Sequence, residues 1–110
     1  QKEDQKEAPD LTIIIKDVLL KEFPSINFTI KNKNTIILED GIVMNNTSIQ
    51  ETGRVCIIYS EKSIQFDGRS WECMETILVN GSIYLLIPNI SKERIIAGIL
   101  AARFISRKNI

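Results

Sequence analysis

The sequence predicts an α+β domain: an N-terminal helix, then an antiparallel sheet of about six or seven strands, then a C-terminal helix packed on the sheet. Apolar residues recur at spacings of three and four near both ends of the chain, and they alternate with polar residues in the middle. A chain of 110 residues has room for one hydrophobic core. We therefore expect a flexible polar tail over residues 1–9 and a single domain over residues 10–110.

The first helix is predicted over residues 11–22. Asp10 stands at the position of a cap, apolar residues follow at helical spacing, and Pro24 ends the pattern. The three consecutive isoleucines at 13–15 would instead favour a strand, because β-branched residues are common in sheets. The charged residues at 16, 17, 21 and 22 favour the helix.

The sheet is predicted between Ile26 and Pro88, where the apolar period changes to two. The alternating segments are residues 26–30, 35–39, 42–44, 55–60, 63–66, 70–79 and 82–87. Residues 45–54 show no sustained period and are predicted to form an exposed loop. Turns are predicted at Asp40-Gly41, Asp67-Gly68 and Asn80-Gly81, because these residue types tolerate a positive φ. Such short connections predict a largely antiparallel meander.

A second helix is predicted over residues 91–108, with Asn89 or Ser91 as its cap. Its large apolar side chains lie on one side, and small residues, among them Gly98, Ala101 and Ala102, lie on the other. A glycine inside a helix costs about 1 kcal/mol relative to alanine, which indicates a close approach of another segment. The small face packs either on the chain's own sheet or against a second chain.

The residue types that most catalytic and metal sites need are missing from the sequence. The chain contains no histidine, which excludes an imidazole general base, a histidine zinc ligand and a histidine-activated nucleophile. Glu72 and Glu75 would point to opposite faces of a strand. The glycine-rich phosphate loops, the nucleophile elbow and the calcium loop have no matching motif. We expect a protein that is not an enzyme and that uses neither a metal nor a cofactor.

Two cysteines, Cys56 and Cys73, are too few for a disulfide scaffold and too far apart for a CxxC pair. They are interpreted as two packed thiols or, alternatively, as one disulfide between strands. The longest apolar run, residues 95–102, is much shorter than the ~20 residues that a membrane-spanning helix needs.

Two clusters are candidate contact surfaces. Asp67, Arg69 and Trp71 surround one predicted turn, where they form either a charged and aromatic contact surface or a solvated turn beside a core tryptophan. Three cations, Arg103, Arg107 and Lys108, lie at the end of the predicted last helix. They would contact phosphates or only complement the helix dipole. The net charge of zero opposes general attraction to nucleic acid.

Five of the eight asparagines begin the motif Asn-x-Ser/Thr, whereas 14 serines and threonines in the chain predict about one match by chance. They are Asn27, Asn45, Asn46, Asn80 and Asn89. This motif is the acceptor site for N-linked glycosylation, so its frequency favours a secreted protein. Asparagine, serine and threonine also gather in turns for conformational reasons. An intracellular setting and a secreted or lumenal setting both stay open.

Together these observations predict a non-enzymatic interaction or assembly module, part of a larger or membrane-tethered chain. Its partner would be another protein or a second copy, bound through a sheet edge or the last helix. The predicted contact residues are Gly98, Ala101, Ala102, Arg103, Arg107 and Trp71. The alternative is a small nucleic-acid-binding protein that uses the basic end of the C-terminal helix.

Overall fold

A computed structural model describes residues 9–44, 49–80, 82–103 and 105–106. Within these residues the chain forms an α+β fold, as predicted, with two helices and eight strands. They are α1 (Thr12–Glu22), β1 (Phe28–Asn32), β2 (Thr35–Met44), β3 (Ile49–Tyr59), β4 (Ile64–Phe66), β5 (Arg69–Trp71), β6 (Glu75–Val79), β7 (Ser82–Ile87), α2 (Lys92–Ala102) and β8 (Ile105–Ser106). Residues 1–8 lie outside the described residues, so the division into a tail and one domain stays a prediction.

The main sheet has five strands in the order β1-β2-β3-β7-β6, and the two-residue strand β8 pairs with the end of β2. Neighbouring strands are antiparallel except at two places, β3 with β7 and β2 with β8, which are parallel. Strands β4 and β5 form a separate hairpin. The prediction of a largely antiparallel sheet is therefore confirmed, whereas the predicted number of six or seven strands and their meander order were wrong. Along the chain, the hairpin β4–β5 follows β3 and precedes β6, and it does not join the main sheet. Strand β7 then lies beside β3 and runs parallel to it.

Three element boundaries also differ from the prediction. The predicted turn at Asp40-Gly41 is a shift of register inside the continuous strand β2. Residues 49–54, predicted as loop, belong to β3, where Gly53 pairs with Gly41. The segment predicted as one strand over residues 70–79 is divided into β5 and β6. Residues 49–54 form a strand because their backbone pairs with β2, and the periodicity of side chains does not predict such pairing.

Helix α1 forms almost where the sequence predicts it. The Asp10 carboxylate accepts a hydrogen bond from the Thr12 N–H at 2.9 Å, which satisfies one of the free donors at the helix start. Hydrogen bonding with the side chain and then with the backbone of Thr12 lowers the pKa of Asp10. Ile15, Val18 and Leu19 form the buried face. At the other end, the Phe23 N–H donates to the Leu19 carbonyl.

One layer of helices packs on one face of the main sheet. The register aligns Ile36, Ile57 and Leu85 in a row across β2, β3 and β7, and all three are buried. The residues two positions away on the same strands join this core, together with Leu11, Ile15, Val18 and Leu19 of the α1 region and Ile95, Ile99 and Ala102 of α2. The alternate residues Ile37, Cys56 and Ile58 point to the opposite face and are half-buried.

The hairpin β4–β5 packs against the opposite face of the sheet. The ring of Phe66 lies 5.0 Å from the ring of Tyr84, centroid to centroid. Ile64 in the hairpin is buried, and so is Leu86, which points away from the helices. Asp67 and Gly68 both have positive φ, +54° and +77°, so the predicted tight turn is confirmed. The second predicted hairpin is also confirmed, since Val79 pairs with Ser82 around Asn80.

Candidate interaction site at the β6 edge

The main sheet has two edge strands, β1 and β6. Strand β1 is a poor template for another chain, because its register shifts between Ile30 and Asn32 and because Lys31 is exposed on it. Strand β6 pairs with β7 through five consecutive residues without a shift, and it contains no lysine, arginine or proline. In the part of the chain that the structure describes, β7 is its one partner strand. The regular edge of β6 is therefore available for backbone hydrogen bonds.

A groove of about 420 Å³ runs between this edge and the hairpin. Its lining residues are Asp67, Arg69 and Trp71 from the hairpin and Thr76, Ile77, Leu78 and Val79 from β6. We call it the β6 groove. Leu78 is 44% exposed, and its pairing with Ile83 places its side chain on the helix side of the sheet, whereas Ile77, paired with Tyr84, faces the hairpin. The volume of the β6 groove lies in the lower part of the ~300–1,000 Å³ range of ligand sites.

Two hairpin side chains of the groove are held in place by their own contacts. The indole N–H of Trp71 donates a hydrogen bond to the Phe66 carbonyl oxygen at 2.9 Å. The guanidinium carbon of Arg69 lies 4.1 Å from the centre of the Trp71 ring, a cation–π contact. No carboxylate of the described residues forms an ion pair with Arg69. The groove thus presents an ordered aromatic ring and a cation whose charge is not matched by a carboxylate.

The structure brings together the cluster predicted around the Asp67-Gly68 turn. Asp67, Arg69 and the half-buried Trp71 share one wall of the β6 groove. Their role in binding stays a prediction. The sequence reasoning missed Thr76–Val79, because residues 70–79 were assigned to one strand inside a larger sheet. The absence of lysine and proline from β6 is the sequence signal that could have identified it as an unprotected strand.

The small face of α2 has packing partners within the chain. Gly98 is buried, and the side chain of Ile87 occupies the space that a Cβ on Gly98 would need. Ala102 belongs to the core, and Ala101 packs against the core and is half-buried. The close approach that Gly98 indicates is thus an approach of α2 to its own sheet. The interchain contact through these residues stays a prediction.

The basic end of the last helix does not form as predicted. Helix α2 ends at Ala102 rather than at residue 108, and residues 105–106 form β8 beside Val43 and Met44. Arg103 is the C-cap residue, and its guanidinium carbon lies 5.2 Å from the centre of the Phe23 ring. Arg107 and Lys108 lie outside the described residues. Pairing with β2 makes residues 105–106 a strand, so the predicted helix does not continue beyond Ala102.

The remaining reactive groups are dispersed. Glu39 accepts hydrogen bonds from Arg54 and Thr29, which lower the pKa of its carboxyl group. Cys56 and Cys73 are free thiols, and burial raises the pKa of Cys56. Among the described residues, no three cysteine, aspartate or glutamate side chains are grouped so that they could hold a metal ion.

Comparison of the chain with models of known protein families, with curated proteins and with solved structures finds no match. Neither helix, as far as the structure describes the chain, is long and apolar enough to cross a membrane.

Proposed function

We propose that this protein is a non-enzymatic interaction module that binds an extended segment of a partner protein as an additional strand on β6. The observation that carries the proposal is the regular, unprotected edge of β6 beside the β6 groove. In binding by strand addition, main-chain hydrogen bonds supply affinity, and pockets for alternate side chains supply specificity. The β6 edge supports the first requirement and the groove supports the second.

The groove favours one extended segment over the sheet edge of a second copy. Asp67, Arg69 and Trp71 stand beside β6 as a wall. A second folded copy approaching β6 with its own β6 would bring its own hairpin against this wall. A single extended chain has no such hairpin and lies between the two walls.

The lining residues also indicate the chemistry of the bound segment. Ile77, which faces the hairpin beside Tyr84, and the ring of Trp71 offer apolar surface, which fits an apolar side chain of the partner. Arg69 lacks a carboxylate partner among the described residues, so an acidic side chain one or two positions away would pair with it. The proposed ligand is an extended peptide that combines an apolar residue with an acidic one.

Selection from a library of random peptides displayed on phage tests the proposal. Peptides that bind the full chain are synthesised, and their affinity is measured for the wild type and for Leu78→Lys, which places a charge on the edge strand. We expect the variant to bind at least about tenfold more weakly, because a lysine on an edge strand opposes pairing with a further strand. The matched control is Ile13→Lys on α1, where the replaced isoleucine is 80% exposed and far along the chain from β6.

A second experiment measures the contribution of backbone hydrogen bonds to peptide binding. In a peptide that adds a strand, N-methylation at residues whose N–H faces β6 should abolish binding, and methylation at the alternate residues should not. Amide shifts in NMR spectra should change at residues 75–79 and 69–71. The proposal is wrong if no peptide is selected, if Leu78→Lys and Ile13→Lys bind alike, or if light scattering shows a dimer that Leu78→Lys dissociates. The last result would identify a second copy as the occupant.

A further inference from the structure

Three of the five Asn-x-Ser/Thr motifs lie in the described residues, and in all three both polar side chains are exposed. The asparagines are Asn27, Asn80 and Asn89, and their partners two positions later are Thr29, Ser82 and Ser91. Asn45 and Asn46 lie outside the described residues. We propose that this protein is a glycoprotein that carries N-linked glycans at Asn80 and Asn27 and not at Asn89.

The modification is a transfer of an oligosaccharide from a polyprenyl pyrophosphate carrier, which is the co-reactant that the proposal requires. The side-chain nitrogen Nδ2 of asparagine forms a bond to C1 of the first sugar, and the bond from C1 to the pyrophosphate oxygen breaks. The carrier leaves as the pyrophosphate with the electron pair, and Nδ2 loses one proton. The hydroxyl group two residues later is part of the motif that the transfer enzyme reads. The reaction makes no demand on catalytic groups of this chain.

Asn80 meets the steric requirements best. It lies in the tight turn between β6 and β7 with a φ of +50°, and Ser82 begins β7. Both side chains are exposed, and neither has a hydrogen-bond partner among the residues that the structure describes. An attached glycan would extend from the turn into solvent without replacing any contact of the folded chain.

Asn27 lies just before β1, and its side chain is exposed and free of partners in the described part of the chain. The fold uses the backbone of Asn27, whose carbonyl oxygen accepts a hydrogen bond from the Glu39 N–H at 2.9 Å. The Thr29 hydroxyl donates to the Glu39 carboxylate, also at 2.9 Å. Since a glycan is attached at Nδ2, both bonds are retained after modification.

Asn89 differs from these two sites, because the fold uses both polar groups of its motif. Its Nδ2 donates a hydrogen bond to the Glu72 carbonyl oxygen at 3.3 Å. The Ser91 hydroxyl accepts a hydrogen bond from the Arg94 N–H at 3.1 Å and caps α2. A sugar on Nδ2 would have to fit between Asn89 and the segment that contains Glu72. We therefore expect Asn89 to stay unmodified.

The test is made first on the native protein purified from its source. Digestion with peptide N-glycosidase in heavy-oxygen water converts each glycosylated asparagine to an aspartate that carries heavy oxygen, and peptide mass spectrometry locates the label. We expect label at positions 80 and 27 and none at 89. A parallel incubation without the enzyme is needed, because asparagine followed by glycine also deamidates spontaneously. A native chain that has only its polypeptide mass overturns the proposal, and so does a label at 89 without one at 80.

Variants of the full chain, directed into the secretory pathway of a eukaryotic cell by an added signal sequence, test the motif itself. Asn80→Gln and Ser82→Ala should each remove one glycan step on a denaturing gel, although Ser82→Ala leaves the asparagine in place. Ser82→Thr should retain the step because it retains the hydroxyl. The control is Asn32→Gln, which replaces an exposed asparagine at the end of β1 outside any such motif and should leave the pattern unchanged. Equal patterns for Ser82→Ala and the wild type would contradict modification at Asn80.

Discussion

Among the residues that the structure describes, Tyr59 has the largest fully buried side chain, and its hydroxyl group has no hydrogen-bond partner there. The nearby position of a Cβ on Gly98 would lie 3.9 Å from this oxygen, so α2 covers it closely. Burial raises the pKa of Tyr59 far above its usual value of 10.0, because the charged phenolate would lose its solvation. The position combines a well-packed ring with an unsatisfied polar atom.

Replacing Tyr59 with phenylalanine should stabilise the protein by about 1 kcal/mol at neutral pH, because an unpaired buried polar group costs roughly 1–3 kcal/mol and the small void left behind offsets part of this gain. Urea unfolding measures the difference. A less stable Tyr59→Phe variant would show that the hydroxyl is hydrogen-bonded in solution.

The same substitution should change the response to alkaline pH. Above pH 10.0 the tyrosine of the unfolded chain loses its proton, whereas the buried Tyr59 retains it. The unfolded state then binds fewer protons, so the free energy of unfolding of the wild type decreases as the pH rises. The advantage of Tyr59→Phe over the wild type should therefore increase above pH 10.0. Parallel stability curves for the two proteins across this range would contradict the assigned burial.

At the scale of elements, the contact of α2 with β7 depends on the glycine at position 98. The Cδ1 atom of Ile87 lies where a Cβ on Gly98 would be, so a larger residue forces the Ile87 side chain to change its conformation inside a packed core. Alanine at this position gains about 1 kcal/mol of helix propensity and loses roughly 1–3 kcal/mol through overpacking. The loss is the larger of the two.

We expect Gly98→Ala to destabilise the protein by about 1 kcal/mol, and the same change to be neutral or stabilising in an Ile87→Val background. Valine lacks the Cδ1 atom that the new methyl group would meet. A double-mutant cycle from chemical unfolding of the four proteins measures the coupling. Additive effects of the two substitutions would mean that Ile87 is not what limits the space at Gly98.

The sequence predicted well what local chemistry determines and poorly what pairing over long distances determines. Helix α1, the Ser91 cap and the turns at Asp67 and Asn80 follow from side-chain spacing and from backbone preferences of single residues. The parallel contact of β3 with β7 and the end of α2 at Ala102 depend on partners far along the chain. The β6 groove needs both the strand order and the position of the hairpin, so only its hairpin wall, with Trp71, was anticipated.

At the scale of the whole molecule, the two faces of the sheet are covered by different structures that share the same strands. Helices cover one face, and the hairpin covers part of the other through Ile64 and Phe66. Because β7 contributes Leu85 to one side and Leu86 to the other, loss of the sheet exposes both. The two coverings should therefore unfold together.

Trp71, the single tryptophan of the chain, reports on the hairpin, and far-ultraviolet circular dichroism reports largely on the two helices. We expect the two signals to give the same midpoint in urea, as for a two-state domain. A fluorescence transition at lower urea than the circular dichroism transition would show that the hairpin detaches from a sheet that is still folded.

The parallel pairing of β3 with β7 also bears on how quickly the chain reaches this structure. The hairpins β1–β2, β4–β5 and β6–β7 each join residues that are close in sequence and can close within about 1–10 μs. The pairing of Cys56 with Tyr84 instead requires that the intervening segment with β4–β6 is already in position. The chain therefore loses conformational entropy before the contacts between β3 and β7 stabilise it. We therefore expect the two halves of the sheet to form early and separately, and their pairing at β3 and β7 to limit the folding rate.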